Sequence, residues 1–197
     1  MRPAVVVIAA CCAAQLIAQE VTVSRDRIWA DTVKRGSMPI QVRGLGTAAL
    51  NRVDLKIAEM QVKEVQLGQS VSVDARSGKI FVGRVTRIDP EAINGTVVVE
   101  VRFDGEAPPS GASVDGTIDI RVLRDIVYVG RPVFGQASSE ATLFRLESDG
   151  VHASRVRVRF GASSVNQIEV LDGVQPGDHV ILSDMTSYGG VERVRLQ

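Results

Sequence analysis

Val165-Asn166-Gln167-Ile168-Glu169-Val170-Leu171-Asp172-Gly173-Val174-Gln175-Pro176-Gly177-Asp178-His179-Val180-Ile181-Leu182-Ser183-Asp184 sets two short apolar stretches on either side of Asp172-Gly173 and Pro176-Gly177-Asp178. Proline presets φ for the first central position of a tight turn, and glycine supplies the positive φ that the next position needs. The spelling predicts strand, tight connection, strand.

The same punctuation recurs upstream. Asn94-Gly95 separates Ala92-Ile93 from Thr96–Phe103, and Ser77-Gly78 separates Ser70–Arg76 from Lys79–Ile88. Asn-Gly favours a hairpin because both residues tolerate positive φ. Within Thr96–Phe103, Val97, Val99, Val101 and Phe103 fall on one face, with Val98, Glu100 and Arg102 on the other. Val53-Asp54-Leu55-Lys56-Ile57 alternates in the same way. Met60–Leu67 changes spacing, with Val62, Val65 and Leu67 on one side, and predicts a single helical turn closed by Gly68. Ile28–Gly36 and Ser37–Thr47 read as two extended pieces meeting at a turn at Gly36. Sustained helical periodicity over twelve or more residues is absent from the sequence, and turn signals recur every ten residues or so. The expected fold class is mainly β: a small antiparallel β-barrel followed by a second all-β unit that begins near Leu123.

Composition narrows the function classes. The chain has 197 residues, and Lys plus Arg equals Asp plus Glu at 23 each, for a formal net charge of zero. That balance supplies no global field for gathering nucleic acid, which is set aside as a partner. Residues 1–19 run from one arginine through an apolar stretch into small residues, the layout of a signal peptide or a short membrane anchor. Cleavage after Ala14, cleavage after Ala18, retention as an anchor, and lipidation at Cys11 of the box Ile8-Ala9-Ala10-Cys11 all remain open. Both cysteines, Cys11 and Cys12, lie in this leader. A cleaved chain would have no thiol and no disulfide, and its cores alone would hold it.

From Val53 to Asp184 the order of motifs resembles the distal half of an HlyD-family periplasmic adaptor, or membrane fusion protein, of efflux transporters. The matching text is Ile57–Gln69, then Gly83-Arg84-Val85-Thr86-Arg87-Ile88-Asp89-Pro90, then Asn94-Gly95-Thr96-Val97-Val98-Val99. Val114-Asp115-Gly116-Thr117-Ile118, Tyr128-Val129-Gly130-Arg131-Pro132 and the closing strand-turn-strand complete it. The resemblance implies that residues 27–50 enter and thread both β domains. It further implies that residues 51–122 form the adaptor barrel and residues 123–197 the membrane-proximal domain. Family members insert a lipoyl-like domain and a long α-helical hairpin after the first strands. Here Thr47–Arg52 runs straight into the barrel strand, by a natural shortening or by a deletion. The family reaches an outer-membrane channel through that hairpin, so the resemblance does not carry that contact to this chain.

Candidate chemistry is thin. Gly44-Leu45-Gly46-Thr47-Ala48-Ala49 spells G-x-G-x-x-A, but a strand follows it where a dinucleotide site needs a helix. His152, and His179 with Asp178, Asp184 and nearby serines, are explained as polar residues flanking turns. No catalytic residue, cofactor site or metal site is expected, and the chain is not expected to be an enzyme. Arg155, Arg157 and Arg159 alternate with Val156, Val158 and Phe160, which puts three arginines on the outer face of a strand. They are either a solvated face or a stripe facing a transporter or anionic lipid.

The function implied by the resemblance is an adaptor of a tripartite-type efflux system, periplasmic and held at the inner membrane of a Gram-negative-type bacterium. It would dock on an ABC or RND transporter, with self-association into a ring as a further expectation. The alternatives are a free-standing periplasmic binding module and a truncated, non-functional fragment.

Overall fold

The structure, a computed structural model, describes residues 21–76 and 78–197. The expected signal or anchor segment, residues 1–19, lies outside the described residues, as does Ser77 of the Ser77-Gly78 turn. In chain order the strands are β1 (Val21–Val23), β2 (Ala30–Thr32), β3 (Lys34–Ala49) and β4 (Arg52–Ala58). The short helix α1 (Glu59–Val62) comes next, then β5 (Ser70–Asp74), β6 (Ile80–Ile93), β7 (Thr96–Arg102) and β8 (Ser113–Gly130). Last are β9 (Glu140–Leu146), β10 (His152–Ser163), β11 (Gln167–Asp172), β12 (His179–Ile181) and β13 (Arg193–Leu196). The mainly-β expectation holds.

Strands β8, β3, β4, β7, β6 and β5 pair antiparallel in that order, and β5 pairs back onto β8, so the ring closes into a barrel. The alternation read in the sequence supplies its interior: Val53, Leu55 and Ile57 from β4, Val71 and Val73 from β5, Val99 and Val101 from β7 and Ile118 from β8 are buried together. A small barrel has room only for interdigitated side chains. Glycines make part of that room: a Cβ on Gly116 would lie 2.7 Å from Leu55 Cδ2. On Gly44 it would lie 2.8 Å from the Lys56 carbonyl oxygen, so the G-x-G of β3 serves strand packing.

The second group of strands runs β2-β12-β9-β10-β11-β8. Its sheet is apolar on both faces. Leu143, Val158, Phe160, Ile168, Val180 and Leu182 pack with Val33 and Val129 on one face. On the other, Phe144, Ala153 and Ile181 are covered by Val23 of β1 and by Val194 and Leu196 of β13. These two end strands pair parallel with each other, and β13 also pairs with β10.

Strands β3 and β8 join the two regions. They run antiparallel from Thr47–Ser113 at one end to Lys34–Tyr128 at the other. Val42, Ala48, Val114 and Ile118 enter the barrel core, whereas Val129, and Val33 just ahead of β3, enter the second core. The position between residues 122 and 123 falls inside β8.

The structure corrects the sequence expectation at Gly36. Gly36 is not a turn: β3 passes through it, and it stands opposite Ile126 with a bulge between Gly36 and Met38. Continuous pairing with β8 gives the backbone its hydrogen-bond partners, so a bulge absorbs the irregularity where a turn would break the ladder. Arg35 clamps the spot from outside, its Nε and Nη2 donating to Asp125 at 2.8 and 2.9 Å. The helical turn is present as α1, with Gly68 at φ +84°, and Val65 is buried, but Leu67 is exposed.

The opening segment folds as spelled. The Asp178 N–H donates to the Gln175 carbonyl at 3.0 Å across a turn with Gly177 at φ +96°. Its strands are not each other's partners: β11 lies between β10 and β8, and β12 between β9 and β2. Among the described residues no helix is long and apolar enough to cross a membrane.

Candidate functional site

Strand β10 presents the arginine stripe as alternation requires. Val158 and Phe160 point into the second core, which leaves Arg155, Arg157 and Arg159 on the opposite face. Their cross-strand partners on β9 are Phe144, Thr142 and Glu140 respectively. Arg157 and Arg159 are exposed, and among the described residues neither makes an ion pair. Arg155 is half-buried; its Nη1 stands 3.5 Å from Glu192 Oε1, and the Glu192 side chain is 84% exposed.

Beside Arg155 the surface dips into a cleft of about 360 Å³ lined by Phe134, Phe144, Arg155, Asp184, Met185 and Thr186. Phe144 comes from β9, Phe134 from the connection between β8 and β9, and Asp184–Thr186 from the segment after β12. Sequence reading missed this cleft because its walls come from separated segments, brought together by the Arg155–Phe144 register and by the path of the chain after β12. The Asp184 carboxylate accepts the Thr186 N–H at 2.9 Å and the Thr186 hydroxyl. Those two bonds hold its pKa below the usual carboxylate range, the hydroxyl having the larger effect.

A second polar cluster forms at the turn between β9 and β10. Oxygens of Glu147 and Asp149 and a ring nitrogen of His152 lie within 4.8 Å of one another, a spacing that could hold a cation. Arg193 of β13 already occupies it: Nε and Nη2 donate to the two Glu147 oxygens at 2.9 and 2.7 Å. Arg193, then the Ser154 hydroxyl, hold the Glu147 carboxyl below its ordinary pKa. The His152 ring, followed by the His152 and Val151 backbone N–H groups, does the same to Asp149 more strongly. By sequence alone His152 reads as a polar residue flanking a turn; the carboxylates three and five positions before it are the signal of the cluster.

His179 does not assemble a hydrolytic set. Its Nδ1 lies 3.0 Å from the Thr32 hydroxyl. Asp178 accepts the Gln175 N–H at 2.8 Å, and Asp184 is engaged by Thr186. Among the described residues no hydrogen bond links His179 to either carboxylate.

On the barrel, Glu100 is expected on the outward face of β7, yet it is only 6% exposed. Arg102 Nε donates to it at 2.8 Å and the Thr86 hydroxyl at 3.1 Å, with Arg52 and Arg87 guanidinium nitrogens 3.6 and 3.9 Å away. The carboxyl is held below its usual pKa, chiefly by the Arg102 hydrogen bond.

No protein-family model matches the sequence, and no curated protein does. Among solved structures, MacA from Actinobacillus actinomycetemcomitans is similar at 16% identity and a TM-score of 0.44, over 68% of this chain and 42% of that one. ZneB from Cupriavidus metallidurans is similar at 21% identity and a TM-score of 0.33, over 70% of this chain and 42% of that one. The chain thus spans less than half the length of either protein. Likeness at this level assigns no function to the chain.

Proposed function

We propose that this chain is a shortened periplasmic adaptor of the HlyD type, which acts by docking on an inner-membrane ABC or RND transporter and performs no catalytic step. The observation that carries the reading is the shared strand pair. Strands β3 and β8 stay paired from Thr47–Ser113 to Lys34–Tyr128, and the stretches they belong to feed both apolar cores. An adaptor whose residues 27–50 thread a barrel (51–122) and a membrane-proximal domain (123–197) needs such a pair. The motif order from Val53 to Asp184 supports the same reading.

The turn at Leu50-Asn51 also fits a shortened form. Strands β3 and β4 are joined there with Ala49 opposite Arg52, where the family carries its lipoyl domain and helical hairpin. The mechanism is contact alone: an adaptor that binds one transporter conformation more tightly than another raises that conformation's population by the difference in affinity. Arg157 and Arg159, exposed and free of ion pairs among the described residues, supply a face for the transporter or for anionic lipid. The leader in residues 1–19 would deliver the chain to the periplasm and hold it at the inner membrane. Copies docked on one transporter could associate into a ring.

Cross-linking in native membranes, followed by capture of the chain and identification of its partners, tests the proposal. A transporter subunit should be recovered. Recovery of the chain with no transporter subunit overturns the adaptor reading and leaves a free-standing binding module.

A further inference from the structure

We propose that the cleft between Phe134, Phe144 and Met185 binds a small amphiphilic organic anion, with its carboxylate on Arg155 and its apolar chain on the two phenylalanines and the methionine. The proposal stands apart from the adaptor reading, because it needs only this chain.

The volume of about 360 Å³ is in the range of small-molecule sites, roughly 300–1,000 Å³. The lining has the composition such sites share, an apolar floor with few polar groups. Both phenylalanines line it: Phe144 is buried, and Phe134, on the connection after β8, is 37% exposed. Phe144 and Arg155 are directly opposed across β9 and β10, so their Cβ atoms rise from the same face about 5 Å apart. One ligand can therefore touch the ring with its chain and the guanidinium with its head.

The charge of Arg155 is available. At 32% its side chain is the least exposed arginine among the ion pairs of the described residues, yet its partner Glu192 is 84% exposed and stands at 3.5 Å. Arg193, by contrast, is saturated by two bonds under 3 Å to Glu147. A guanidinium favours a carboxylate that it can grip with two parallel N–H bonds, and partial burial strengthens them. Arg157, two positions along the same face, adds a second cation without an ion pair. Asp184 also lines the cleft, and its Oδ1 is taken by Thr186, so a carboxylate head is repelled from it and drawn to Arg155.

The test uses decanoate and decylamine, each below its micellar concentration, titrated calorimetrically into the purified protein. Wild type should bind decanoate saturably and more tightly than decylamine. Arg155→Gln should weaken decanoate about tenfold or more and remove the preference, since a charge-assisted pair is lost. Phe134→Ser should weaken both ligands alike. Absence of saturable decanoate binding overturns the proposal. So does decylamine binding as tightly as decanoate to the wild type, a comparison that requires no variant to fold.

Discussion

The Asp31 carboxylate accepts the Gly130 backbone N–H at 2.8 Å, which ties β2 to the end of β8 although the two strands share no ladder. Its other oxygen accepts the Thr32 N–H at 2.8 Å, so the side chain is fixed from both sides. The fit is close, because a Cβ on Gly130 would lie 2.8 Å from that carboxylate and 3.0 Å from Leu182 Cδ1. Asp31→Ala is expected to cost about 1.5–3 kcal/mol, the usual loss when a hydrogen bond to a charged group is broken. Denaturant unfolding measures that cost. Hydrogen exchange at the Gly130 amide should accelerate in the same variant, and an unchanged rate there contradicts the assignment.

The barrel interior depends on the pairing of Gly116 with Leu55. The Leu55 Cδ2 and Cγ atoms would lie 2.7 and 3.1 Å from a Cβ at position 116, so a methyl group cannot enter without moving the leucine. Gly116→Ala is expected to destabilise by about 1–3 kcal/mol through overpacking. Combined with Leu55→Val it should cost less than the two single changes added together, because each relieves the other. Strict additivity in the thermal or urea midpoints would mean that the two positions do not share space.

Acid should loosen the C-terminal strand. Glu147 is held below its unfolded pKa by Arg193 of β13, so the pair's stabilisation is fully present above the ordinary glutamate value of about 4.3. It is lost as pH falls from there through the lower folded value, and Asp149 shifts in the same direction. Arg193→Gln should therefore melt at a lower temperature than wild type at pH 7, with the gap narrowing below about pH 4. A gap that stays constant down to pH 2 would show that the pair is not linked to folding.

Much of this fold was legible in the sequence because it is written in two strong signals. The alternation of Val53, Leu55 and Ile57 and of Val97, Val99 and Val101 named the barrel interior. The Asn94-Gly95 and Pro176-Gly177 turns fall where positive φ is found. Gly36 misled because glycine marks both turns and bulges, and only its pairing with Ile126 tells them apart. Glu100 misled for a related reason: period two places it outward, but Arg52 and Arg87 from the neighbouring strands and Arg102 of its own strand close over it. The arginine stripe was legible from its spacing alone. The cleft beside it was not, since Phe134, Phe144 and Met185 meet only through the register of β9 on β10 and the path of the chain after β12.

The docking claim is tested most directly by a photo-cross-linker in place of Arg157, on the exposed stripe of β10, activated in intact cells. The adaptor account predicts a covalent adduct with an inner-membrane transporter subunit, and a much weaker one from a cross-linker at Leu50, on the turn between β3 and β4. Adducts from position 157 that contain only soluble periplasmic proteins, or no adduct at all, would contradict it.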